Sequence, residues 1–179
     1  TNTTSQFGSS WLVGYTGPDS GTDPGSIQLA TTLPLTTTNN ASAEAMALSA
    51  APRPVISPST NVIYTVTNLP EAAPDTGLYL SALFFSLTPL PGGFDLAGVL
   101  TTVPGCNAWI GSIDLDLGAQ GTTTPTASWS YPFDAATFAP GFAVAAQAVA
   151  LFDPAFPLAN GESGGFLLSN GVLSTTNPD

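Results

Sequence analysis

Proline and glycine set the ruler for this chain. Its 17 prolines and 18 glycines recur so regularly through 179 residues that few windows between them hold a three-turn helix. Short strands joined by turns are the architecture such spacing permits, and an all-β sandwich or barrel is the expected class. The fold expected is a single antiparallel β-sandwich domain, jelly-roll-like.

The segments between breakers read accordingly. "SWLVGYT" at 10–16 and "SIQLATTLPL" at 26–35 are strand candidates, the second ending at a sheet edge because Pro34 lacks an amide hydrogen. The run "NVIYTVTNL" alternates, with Val62, Tyr64 and Val66 on one side and Ile63, Thr65 and Thr67 on the other. The density of Leu and Phe in "GLYLSALFFSLTPL" at 77–90 predicts a strand buried on both faces. "NAWIGSIDLDLG" at 107–118 reads as one strand, with Ile113, Leu115 and Leu117 opposite Asp114 and Asp116. "GTTTPTASWSYPF" reads as another, with Trp129 and Tyr131 on one face. Two stretches are ambiguous. "ASAEAMALSAA" at 41–51 fits one short helix, and "FAVAAQAVALFDP" at 142–154 satisfies both the helical and the strand period. For the latter, strand neighbours on every side favour a strand. At Asn170-Gly171 a two-residue hairpin competes with a single strand carrying a bulge.

Composition excludes much chemistry. The chain has no histidine and a single basic residue, Arg53, so the Ser/His/Asp, Cys/His and Ser/Lys pairs, the lysine Schiff base and the histidine-ligated metal site are all ruled out. A formal net charge of −11 cannot neutralise a phosphate backbone, so nucleic acid is not an expected partner. No apolar stretch reaches the roughly 18 residues of a membrane span. Cys106 stands alone and reads as a small buried apolar residue. The low charge, the richness in Thr, Gly and Pro and a first residue that is not Met suggest an exported form whose signal has been removed, located outside the cell or on its surface. Asn2 and Asn40 begin glycosylation sequons.

The second half resembles a known family. Pro104-Gly105-Cys106, then Gln147-Ala148 just ahead of Asp153, then Ser169-Asn170-Gly171 occur in the order seen in a C-terminal β-domain of many exported planctomycete and myxobacterial proteins. The resemblance spans roughly residues 77–176. It implies a secreted β-sandwich in which the 142–154 run is a core strand, and it brings no catalytic residue. Gln147 is then expected to satisfy backbone groups at a bulge or loop, Asn170 to do the same for the closing strand, and Asp153 to start a turn at Pro154.

Three arrangements are candidates for function. Asp114 and Asp116, two apart on a strand, would project from one face about 7 Å apart, near the spacing of glycosidase carboxylates. No cofactor is expected, although Asp19 and Asp23 offer oxygens to a calcium ion. Trp129, Tyr131 and Trp109 could stack on sugar rings if exposed, although large aromatics dominate cores and burial in the sandwich is the favoured reading of them. The leading expectation is an exported, non-catalytic structural or adhesive protein, a self-assembling subunit of a cell-surface fibre or layer. Its partner would be itself or surface glycans. Residues 1–24 form a polar segment with an exchangeable strand, and residues 25–179 form the sandwich. The alternative is a carbohydrate-binding module using exposed aromatics.

Overall fold

The computed structural model describes residues 5–7, 10–15, 26–29, 46–101, 105–158 and 162–177. Twelve strands run through them: β1 (Ser5–Phe7), β2 (Ser10–Tyr15), β3 (Ser26–Leu29), β4 (Ala47–Ala51), β5 (Thr60–Thr67), β6 (Tyr79–Ser86), β7 (Pro89–Asp95), β8 (Asn107–Ile110), β9 (Leu115–Thr122), β10 (Thr126–Phe133), β11 (Ala143–Leu151) and β12 (Phe166–Thr175). Among the described residues there is no helix, and so none long and apolar enough to cross a membrane.

A seven-stranded sheet in the order β1-β2-β3-β12-β11-β6-β9 is the central layer. A three-stranded sheet, β10-β5-β4, covers one face of it, with β4 over β12 and β3 and β10 over β9 and β6. The β7-β8 pair lies on the other face, where β8 packs on β11 and β12. All the paired strands are antiparallel. The protein is thus an antiparallel β-sandwich with uneven layers, seven strands against three, whereas a regular jelly roll divides eight strands between two sheets.

The core follows from the alternation. Val62, Tyr64 and Val66 of β5 point inward and are buried, while Ile63 on the opposite side is exposed. They meet Leu83 and Phe85 of β6 and the Val144, Ala146, Ala148 and Ala150 face of β11. The ambiguous run at 142–154 is therefore a strand, and its alanines have a steric reason. Because β11 has the three-stranded sheet on one face and β8 on the other, Ala145, Ala146, Gln147 and Ala148 are buried in succession. A strand covered on both sides loses its polar alternation, which is why its sequence did not separate the two periods.

Three expectations are corrected. Residues 47–51 form strand β4, not part of a helix, while 41–45 lie outside the described residues. Alanine's helix preference yields there to pairing with β5 and to burial of Met46, Leu48 and Ala50. The segment 107–118 is two strands in different sheets, because the Gly111 amide donates to the Thr88 carbonyl at 2.7 Å. A Cβ at position 111 would lie 3.0 Å from the Thr88 side chain and 3.1 Å from its carbonyl oxygen, closer than ordinary van der Waals contact, so this crossing favours glycine. In the 77–90 run, β6 buries Ser81, Leu83 and Phe85 on one face but leaves Leu80, Ala82 and Phe84 half-covered on the other.

Tight packing of the β11 alanines generates a prediction. Ala146→Leu is expected to destabilise the fold by about 1–3 kcal/mol through overpacking, whereas Ile63→Thr on the open face stays within about 0.5 kcal/mol of the parent. Urea unfolding of both variants checks the contrast.

Candidate binding clefts and the amide clamps that frame them

Gln147, on β11 of the central sheet, is fully buried. Its Oε1 accepts the Trp109 amide hydrogen at 3.0 Å, and its Nε2 donates to the carbonyls of Asn107 and Ser169, both at 2.8 Å. Trp109 N–H and Asn107 C=O are two residues apart and so lie on the same edge of β8. The carboxamide thus pairs with β8 as the peptide group of a neighbouring strand would. It holds the outer hairpin against the central sheet.

Asn170 does the corresponding work on the opposite face. Its Oδ1 accepts the Leu48 amide hydrogen at 2.7 Å, while Nδ2 donates to the Leu48 carbonyl at 2.9 Å and the Gly171 carbonyl at 3.1 Å. Both Leu48 groups point to the edge of β4 that β5 leaves free. The geometry that makes this reach available is a bulge: Gln147 faces Gly171 and Val149 faces Leu168, so Ser169 and Asn170 together oppose Ala148. Ser169 Oγ accepts the Ala148 amide hydrogen at 3.0 Å and donates to the Asn170 carbonyl at 2.6 Å. Asn170-Gly171 is consequently the interior of one strand, with the bulge immediately before Gly171.

The other residues singled out in the sequence are dispersed. Asp153 Oδ1 accepts the Ala155 amide hydrogen at 2.9 Å across Pro154. Cys106 is buried, and burial pushes its thiol up to about 11, so it remains a protonated, unreactive thiol near neutrality. Asp19, Asp23, Asn2, Asn40 and Pro104 lie outside the described residues. Among the described residues no three His, Cys, Asp or Glu gather where they could hold a metal ion.

The aromatic expectation needs correction. Trp109 is 0% exposed and Trp129 5%, so neither offers a ring face to a sugar. Trp129 points inward on β10, and its Nε1–H donates to the Gly118 carbonyl at 3.0 Å, tying β10 to the edge strand β9. Trp109 lies under the outer hairpin against Gly93, and its buried Nε1–H has no hydrogen-bond partner among the described residues. Only Tyr131 of the three keeps a partly open surface.

Asp114 and Asp116 do not form the expected pair on one strand. β9 begins at Leu115, and Asp114 precedes it. Asp114 Oδ2 accepts the Leu87 amide hydrogen at 2.7 Å and the Ser112 hydroxyl at 2.8 Å, which lowers its pKa below the ordinary carboxylate value. A glycosidase acid requires the opposite displacement. Asp116 Oδ1 instead accepts the Gly118 amide hydrogen at 2.7 Å within its own strand.

Two clefts flank the crossover that carries Asp114. One, about 360 Å³, lies between the outer face of the central sheet and the hairpin, lined by Phe84, Val149, Phe166, Leu168, Ala108 and Ile110 with Gln147 at its wall. The other, about 300 Å³, opens on the inner side and is lined by Phe85, Tyr131, Phe138, Phe142, Leu115 and Asp114. Its walls are a connected set of rings: Phe85 and Tyr131 meet edge-on at 5.1 Å, and Phe138 lies 6.2 Å from Tyr131 and 5.3 Å from Phe142. Sequence reasoning missed Phe138 and Phe142, although both sit in the "FAPGF" turn whose Pro-Gly signal was legible. It also missed Glu162, a fully buried carboxylate whose Oε1 accepts the Gly164 amide hydrogen at 2.6 Å.

No protein-family model, curated protein or solved structure matches this chain.

Two predictions issue from the site. Gln147→Leu strands three buried backbone groups at about 1–3 kcal/mol each, so a loss of at least about 3 kcal/mol in denaturant unfolding is expected, with faster hydrogen exchange at the Trp109 amide. Asp114 is expected to titrate below the ordinary aspartate value of about 3.9, and Ser112→Ala to raise its midpoint, as read by carbon NMR of the carboxyl. Because the folded value is the lower one, the stability this carboxylate contributes is present above the unfolded pKa and lost as the pH falls through the folded pKa.

Proposed function

We propose that this chain is an exported, non-catalytic structural or adhesive protein that associates with copies of itself at a cell surface. The observation that carries the reading is a band of large apolar side chains left in solvent. Phe94, Val99 and Leu100 on and after β7, Ile113 on the crossover and Leu87 beside it are each more than half exposed, Val99 at 65% and Ile113 at 62%. Leu100 and Ile113 border the same cleft, so the band is continuous there. Large apolar side chains left in solvent on one region of the surface are what an association face presents.

The position of the amino-terminal strands offers a route to the same end. β1 pairs with β2, and β2 joins the central sheet only through β3, so the hairpin forms the end of the layer and could be exchanged for that of a neighbouring copy. The resemblance of residues 77–176 to β-domains of exported proteins supports the location. Eleven net negative charges oppose association between copies, and added salt should therefore strengthen it.

Light scattering after size exclusion, with negative-stain microscopy of the largest species, tests the reading. The parent is expected to form assemblies that grow with salt, Val99→Asp combined with Ile113→Asp to remain monomeric, and deletion of residues 1–16 to abolish filaments while leaving a folded sandwich. A parent that stays at 18.1 kDa at every concentration and salt would end the self-association reading.

A further inference from the structure

We propose that the inner cleft between β6, β10 and the turn entering β11 binds a quaternary ammonium cation of choline size, its alkyl groups against Tyr131, Phe138 and Phe142 and its charge facing Asp114. The inference goes beyond the structural reading and does not depend on it.

Volume is the first support. At about 300 Å³ the cleft falls at the small end of ligand pockets, which run from about 300 to 1,000 Å³. The second is the chemistry of the walls. Ring faces attract cations through their quadrupoles, and three partly open aromatic rings converge here without a basic residue among the lining groups. The third is charge. Asp114 is exposed at the rim, its Oδ2 held by the Leu87 amide and the Ser112 hydroxyl, so the carboxylate is fixed in position before any ligand arrives. The field of a chain with net charge −11 adds to it.

The same walls argue against other cations. Calcium needs about six to eight oxygen ligands, and the cleft is mostly hydrocarbon with a single carboxylate. A primary ammonium brings three N–H donors, for which the lining side chains offer only Asp114 and the Ser86 and Thr137 hydroxyls, while the ring walls accept none of them. A quaternary ammonium brings none, so aromatic walls cost it no hydrogen bond.

NMR titration of the full chain with choline chloride, following the ring resonances of Tyr131, Phe138 and Phe142, tests the proposal against 3,3-dimethylbutan-1-ol, the uncharged isostere. Saturable millimolar binding of choline is expected, with the isostere at least about tenfold weaker. Asp114→Asn and Tyr131→Leu should each weaken choline about tenfold, and Asp114→Asn should leave the isostere unaffected. Equal binding of choline and isostere would overturn the assignment of charge recognition. Absence of saturation, or shifts confined to other residues, would overturn the site itself. Should either variant fail to fold, the two-ligand comparison on the parent decides alone.

Discussion

Two carboxamides hold the three layers of this protein in register. A sandwich built from hydrophobic faces alone is free to slide, because burial rewards area and not direction. Gln147 and Asn170 supply the direction. Each offers a donor and an acceptor in the arrangement of a peptide group, and each matches an N–H and a C=O on a strand edge of the facing layer. One fixes β8 above the central sheet and the other fixes β4 below it. Since both occur within one paired segment of β11 and β12, the bulge at Ser169-Asn170 sets the position of both outer layers at once.

The small side chains of β11 follow from that arrangement. A carboxamide of fixed length reaches a facing strand edge only if the strands approach closely, and alanine at 145, 146 and 148 permits the approach on both faces. Farther from the clamp, larger groups take over. Tyr64 donates or accepts with Ser174 at 2.8 Å across the layers, and Trp129 closes the β9 edge. Between these ties, at the β9 side and on either face of β6, the layers diverge enough to leave the two clefts.

Much of the fold was legible because its punctuation is local. Turn residues bounded β5 and β12 closely, and the alternation of β5 identified the buried Val62, Tyr64 and Val66, whereas the 121–133 run read as one strand holds the end of β9, a turn and β10. What could not be read was set at a distance. The split of 107–118 depends on Gly111 lying against Thr88, a contact from another part of the chain. The fate of 47–51 depends on pairing with β5, which outweighs alanine's intrinsic preference for helix. Of the site residues, Asp114 showed only as one of an alternating pair, since the Leu87 amide that anchors it is 27 residues away in sequence. The sugar-stacking reading of the two tryptophans failed for a related reason, while their reading as core residues held. Trp109 and Trp129 stand on opposite sides of the sheet system, and period-2 alternation assigns faces without stating which face is covered.

The choice of Gln and Asn for the interlayer ties has a physical cause in the charge inventory. With Arg53 as its single basic residue, the chain cannot balance buried acids by ion pairing in more than one place, and an unbalanced buried charge is costly. Neutral amides avoid the problem and do not titrate. Burial pushes the Tyr64 phenol well above its ordinary range, so the Tyr64–Ser174 tie also remains neutral. Among the described carboxyl groups Glu162 is the fully buried one, its Oε1 accepting the Gly164 amide hydrogen. The other carboxylates with described surroundings lie at or near the surface, so their mutual repulsion is screened by salt and does not act across the core. The layers are therefore held by groups whose bonding is independent of pH over the range where proteins ordinarily work, while the charges are left to govern what approaches from outside.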